Sequence, residues 1–175
     1  MNVRKRQVIC NLAKSSITIQ AGAMQWMIGD VNATTGIKGA GDLFSKMVRG
    51  KVTGESAIKP EYVGTGEIVL EPTYKHILLL NLEEWNNSII LDDWLFLACE
   101  SCLKQKAVMR NNISSAVAGN EGLFNLGIEG KGVLCLESPC PQEELIEIEL
   151  ENDVIKIDGN MAIAWSGSLE FTVER

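Results

Sequence analysis

The chain has 175 residues, of which 46% are hydrophobic and 22% charged, and its formal net charge is −7. This balance is typical of a globular protein with a sizeable core, and the acidic charge argues against nucleic-acid binding, which requires a positive surface. Because the sequence has no secretory signal and no apolar run near the roughly 20 residues of a membrane span, we expect a cytoplasmic protein.

The charge is distributed unevenly along the chain. Residues 1–51 contain eight Lys or Arg against Asp30 and Asp42, a net charge of +6, so the remaining residues carry −13. Either the two parts meet in the fold, or the N-terminal part forms a basic patch that attracts an anionic membrane or an acidic protein partner. The sequence leaves both interpretations open.

The first 50 residues predict a half-unit followed by a helix. Residues 41–50 are the best helix candidate, because Asp42 is a suitable cap, apolar residues share one face and Gly50 ends the segment. The preceding residues match the apolar pattern of a later part of the chain at a shift of 72. The shift places Val8, Cys10, Ile17, Ile19 and Ala23 on Leu80, Leu82, Ile89, Leu91 and Leu95. Strands of such a half-unit would complete a sheet that otherwise has an open edge.

From residue 55 onward, one unit occurs twice, 66 residues apart. Identical residues recur at this spacing, and the apolar positions between them also match. Self-similarity at a fixed period indicates a repeat architecture. The identities include Glu55, Gly64, Gly66, Leu70, Glu71, Asn86, Asp92, Ala98 and Leu103, each of which recurs 66 positions later.

Both copies show a period of two in their apolar residues, which predicts short β-strands. The first copy predicts strands within residues 68–70, 77–82, 89–91 and 95–97, separated by Pro, Asn and Asp turns. Residues 105–117 connect the copies as a further strand or a loose link.

The second copy predicts a similar series of strands. They lie within residues 133–136, 146–150, 155–157, 161–165 and 169–173. In residues 146–150, apolar side chains alternate with glutamates, which predicts a strand with one dry face and one acidic face. We therefore expect an all-β fold with very little helix, either a sandwich or a rolled barrel. A single duplicated domain spans 1–175, with repeat 1 at about 51–110, repeat 2 at about 117–175, and residues 1–50 packed on them as a half-unit.

Two glycine pairs and two carboxylate pairs recur between the copies. The segments 64–66 and 130–132 have the form Gly-x-Gly before a strand, but they lack the third glycine and the helix of a dinucleotide-binding motif. We expect them to provide tight backbone where strands turn or cross. The carboxylates recur by symmetry, which favours turn roles over acid–base catalysis. They are Glu71 with Glu137 and Asp92 with Asp158.

The cysteines and the single histidine are the other candidates for chemistry. Cys99 and Cys102 have metal-ligand or redox spacing, but a structural zinc site needs a second such pair or several histidines. Cys135 lies in an apolar alternation, so we expect it in the core. His76 has no Gly-x-Ser-x-Gly motif to accompany it. We therefore predict no catalytic, metal or cofactor-binding residues.

Four tryptophans mark candidate surfaces. Trp26, Trp94 and Trp165 are candidates for lining a ligand pocket between repeats or subunits. Trp85 stands beside the Asn86-Asn87 turn, where we expect an exposed aromatic side chain at a subunit interface.

A set of short motifs, in order over nearly the whole chain, resembles the altered-inheritance-of-mitochondria proteins and their uncharacterised bacterial relatives. The resemblance implies a fold similar to the tryptophan RNA-binding attenuation protein, a duplicated β-sandwich of double-stranded β-helix type. It also implies a homotrimer, in which two repeats per chain produce a six-fold pseudo-symmetric ring, and no cofactor. The motifs are Gln20–Met27, Gly54–Ser56, Gly64–Pro72, Glu121–Phe124, Gly130–Leu134 and Asp158–Trp165.

These observations favour a non-enzymatic, self-assembling scaffold or binding protein. One alternative is a small-ligand-binding protein with a pocket between repeats or subunits. The other is an enzyme that uses His76 with a nearby carboxylate. Homo-oligomerisation is expected in the first case because equivalent edges on one chain favour ring closure.

Overall fold

The computed structural model describes residues 6–34, 59–109, 124–157 and 161–172. These segments form ten β-strands, and their only helical residues lie in three short 3-10 turns. The strands are β1 (Ile9–Ile19), β2 (Met24–Thr34), β3 (Glu61–Leu70), β4 (His76–Asn81), β5 (Ser88–Leu91), β6 (Phe96–Glu100), β7 (Lys104–Met109), β8 (Phe124–Glu129), β9 (Val133–Ser138) and β10 (Ala164–Ser166). The turns are Leu82–Trp85, Asp93–Leu95 and Gln142–Glu144. The all-β class is therefore confirmed.

Two antiparallel sheets enclose most of the core. One has six strands in the order β2-β3-β1-β6-β9-β4, and the other has four in the order β10-β5-β8-β7. A first hydrophobic cluster combines residues of both sheets, such as Leu134 of β9 with Leu91 of β5 and Ile128 of β8. The molecule is thus a β-sandwich, as predicted.

A second hydrophobic cluster lies on the other face of the six-stranded sheet. It contains Ile19, Ile68 and Leu70 from the first three strands, and Cys135 from β9. Because side chains alternate along a strand, Leu134 and Cys135 point into different clusters. Strand β9 is consequently buried on both faces, which explains its continuous apolar sequence.

Strands β1–β3, here called the first unit, have the same pairing as strands β4–β9, the second unit. In β2–β3 the pair Met24↔Leu70 precedes a bulge, and in β6–β9 the pair Phe96↔Leu136 precedes a bulge at the same place. The offset is 72 residues on the first strand (24 to 96) and 66 on the second (70 to 136). These are the two shifts that the sequence shows.

Each long strand of the first unit corresponds to two short strands of the second. Tyr62 of β3 has partners on both sides, Ile17 of β1 and Ala33 of β2. The same offsets lead to Ile128, whose partners are Ile89 of β5 and Gln105 of β7. Strand β1 therefore corresponds to β4 and β5 together, β2 to β6 and β7, and β3 to β8 and β9. Of each of these pairs, one strand (β5, β7 or β8) lies in the four-stranded sheet.

The Gly-x-Gly segments lie where the two units differ. Gly130 and Gly132 lie between β8 and β9 with φ of +125° and +153°, a conformation that glycine adopts most readily. They let the chain leave one sheet and enter the other. Gly64 instead lies inside β3, where a Cβ would collide with the carbonyl oxygen of Asp30 on β2. The prediction of tight backbone at both segments is confirmed.

The residues that follow the second unit, 142–157 and 161–172, are here called the tail. The second unit joins the first where β6 pairs with β1, with Ile19 opposite Ala98. The tail joins the second unit where β10 pairs with β5, with Leu91 opposite Ala164. The offset is again 72 residues from Ile19 to Leu91 and 66 from Ala98 to Ala164. The strands of the two junctions therefore pair in the same register.

Three predicted strands of the tail are wrong. Residues 146–150 have no strand partner in the described structure, and Ile146 is 86% exposed, so the predicted dry face is not buried. Residues 155–157 and 169–172 are also not in a strand. Alternation indicates that a segment can form a strand, but a ladder requires a neighbouring strand to complete its hydrogen bonds. The predicted helix at 41–50 and the predicted repeat boundaries lie outside the described residues.

Candidate functional site

Two surfaces expose apolar side chains, one at an edge of the six-stranded sheet and one in the tail. The first, here called the head edge, is Trp26, Met27 and Ile28 on β2, and these residues are 46%, 42% and 65% exposed. Strand β2 is the last strand of the six-stranded sheet and pairs only with β3 there. An open, apolar edge of this kind is a template for pairing with another strand.

The second surface, here called the tail strip, comprises residues 145–157. Its exposed apolar side chains include Ile146, Ile148, Val154, Ile155 and Ile157. Between them, Asn152 has a left-handed backbone with φ of +53°, which agrees with the predicted turn. In the sequence, residues 145–157 contain four Asp or Glu against Lys156, a net charge of −3. The tail strip is thus apolar on some side chains and acidic on others.

The tryptophans lie on separate elements. Trp165 of β10 stacks on Phe171 with ring centroids 4.4 Å apart, and its indole N–H is buried without a hydrogen-bond acceptor in the described structure. Trp94 lies in a 3-10 turn, with Lys75 Nζ 5.2 Å from its ring centroid. The predicted full exposure of Trp85 is wrong, because the half-buried ring packs against the first hydrophobic cluster. Its place at a subunit interface stays a prediction.

His76 and its neighbours lie at one end of the β4–β9 pair. His76 faces Ser138, but the hydroxyl of Ser138 contacts Cys140, at 3.3 Å from its backbone nitrogen. The adjacent Lys75 forms an ion pair with Glu137 at 3.1 Å. The structure therefore assigns contacts to Ser138 and Glu137 that do not include His76.

The cysteines differ sharply in burial. Burial raises the pKa of the Cys99 thiol to about 12, and it raises the pKa of Cys135 to the same range. Cys102 is exposed, and its sulfur lies 3.2 Å from the carbonyl oxygen of Lys131. Metal binding and nucleophilic attack require the thiolate, which a raised pKa disfavours. In the described segments, no three His, Cys, Asp or Glu side chains are grouped to hold a metal ion.

Most of the predicted basic patch lies outside the described residues. Of its eight cationic residues, the structure describes Arg6, which donates a hydrogen bond to the Tyr74 carbonyl at 2.7 Å, and Lys14. The interpretation as a membrane or protein-binding patch therefore stays a prediction. No helix in the described segments is long and apolar enough to cross a membrane.

Sequence reasoning identified part of these surfaces. It singled out Trp26 but not its neighbours Met27 and Ile28, and it placed Ile146 on a buried face. The usable signal was the 72-residue shift, because it aligns Trp26 with Ala98, a residue that pairs across the first junction.

Comparison with known proteins relates the chain to one family over nearly its whole length. A family model described as Mitochondrial biogenesis AIM24 matches residues 2–175. An uncharacterized protein from Streptococcus pyogenes serotype M6 is 31% identical over 166 residues, which cover 90% of this chain and 64% of that protein. The crystal structure of protein SPYM3_0169 from Streptococcus pyogenes, a structural genomics target, is similar with a TM-score of 0.58 at 26% identity. That match covers 81% of this chain and 63% of the solved chain. The chain thus spans a little under two thirds of both streptococcal proteins.

Proposed function

Because the chain belongs to the mitochondrial biogenesis AIM24 family, we propose that it is a non-enzymatic, self-assembling scaffold or binding protein. The observation that carries this proposal is the pair of exposed apolar surfaces, the head edge and the tail strip. The head edge lies on the last strand of the six-stranded sheet, and exposed apolar surfaces of this kind are normally covered in a stable soluble state.

The assembly that we propose is a homotrimer with a ring similar to the tryptophan RNA-binding attenuation protein. The recurring junction register supports it, because a chain built from like junctions can close on itself through further junctions of the same kind. We also propose a cytoplasmic location. All five cysteines are free, which suits a reducing compartment.

Light scattering coupled to size-exclusion chromatography tests the assembly. At micromolar concentration we expect a mass close to three times the 19.2 kDa of the chain. A strict monomer across this range would contradict self-assembly, and a dimer would contradict the trimer alone.

The proposal that the protein is not an enzyme draws support from its best candidate groups. The buried Cys99 and Cys135 have raised pKa values, and the Ser138 hydroxyl is engaged by Cys140 and not by His76. We expect His76→Ala to leave the assembled mass and the folded structure unchanged. A hydrolytic or redox activity in purified protein that this substitution removes would overturn the proposal.

A small-ligand-binding protein is the second candidate. It is favoured by Trp165, whose ring stacks on Phe171. The buried indole N–H of Trp165 has no hydrogen-bond acceptor in the described structure. Tryptophan fluorescence titrated with a metabolite panel tests this, with Trp165→Phe as the comparison. A ligand-induced shift that persists in Trp165→Phe would exclude this site.

A further inference from the structure

We draw no further inference here: the strongest candidate, the stack of Trp165 of β10 on Phe171 with a buried indole N–H that has no acceptor in the described structure, belongs to the ligand site already described, and nothing in the structure shows which acceptor would approach it.

Discussion

The buried Ile19 and the half-exposed Ile157 are expected to respond differently to replacement by Ala. Ile19 is 0% exposed in the second hydrophobic cluster. Truncation there removes buried apolar surface and leaves a cavity, which costs about 2–5 kcal/mol of the free energy of unfolding. This loss is expected at every protein concentration.

Ile157 lies in the tail strip and is 46% exposed, so about half of its side chain is left to bury at a junction of the proposed assembly. Complete burial of such a side chain contributes roughly 1.5–3 kcal/mol. The remaining half therefore contributes about 1 kcal/mol to each junction, a weakening of about fivefold in Ile157→Ala. A ring closed by three such junctions loses about three times this free energy.

Sedimentation velocity over a range of concentrations, together with urea unfolding, measures both effects. Ile157→Ala is expected to shift dissociation to higher protein concentration, while the unfolding of the dissociated chain changes by about 1 kcal/mol or less. Tyr74→Ala is the matched control, because Tyr74 is 95% exposed and lies outside both surfaces. If Ile157→Ala and Tyr74→Ala dissociate at the same concentration, the reasoning about this position is refuted.

Three further predictions concern the fold itself. Leu134→Ala, at a residue 0% exposed in the first cluster, is expected to lower the free energy of unfolding by about 2–5 kcal/mol in urea titration, and a loss below about 1 kcal/mol would contradict the described packing. Gly64→Ala is expected to destabilise more than Gly22→Ala in thermal unfolding, because both have positive φ but only Gly64 lies against a neighbouring strand; equal losses would mean that strain alone acts. Cys99 and Cys135 have folded pKa values of about 12 against 9.0 for the unfolded thiol, so stability is retained below pH 9 and falls as pH rises toward 12. The free energy of unfolding is expected to fall by about 1.4 kcal/mol per pH unit for each thiol. Urea unfolding at several pH values measures this decrease, and Cys99→Ala is expected to make it smaller.

Much of the fold could be predicted from local patterns. The period-two alternation located β4, β5 and β9 within a few residues, because a strand with alternating apolar side chains carries its own signal. The Gly-x-Gly segments were correctly interpreted as tight backbone, since glycine is required where a Cβ would meet another strand.

The candidate site was only partly predictable. Ile146 has the same alternation as the buried strands, yet it is 86% exposed because no strand lies beside it in the described structure. Trp85 stands at a turn, yet its ring packs on the core because the turn folds back. In both cases the exposure of a side chain depends on residues distant in the sequence.

The sequence by itself determined the all-β class, the offsets of 66 and 72, and the segments able to form strands. These properties are local or periodic, so the order of residues is sufficient to state them. Only the tertiary structure decided which strands are neighbours, because pairing depends on hydrogen bonds between backbones far apart in the chain. It thereby showed that one junction register occurs twice, and that the head edge and the tail strip expose apolar side chains.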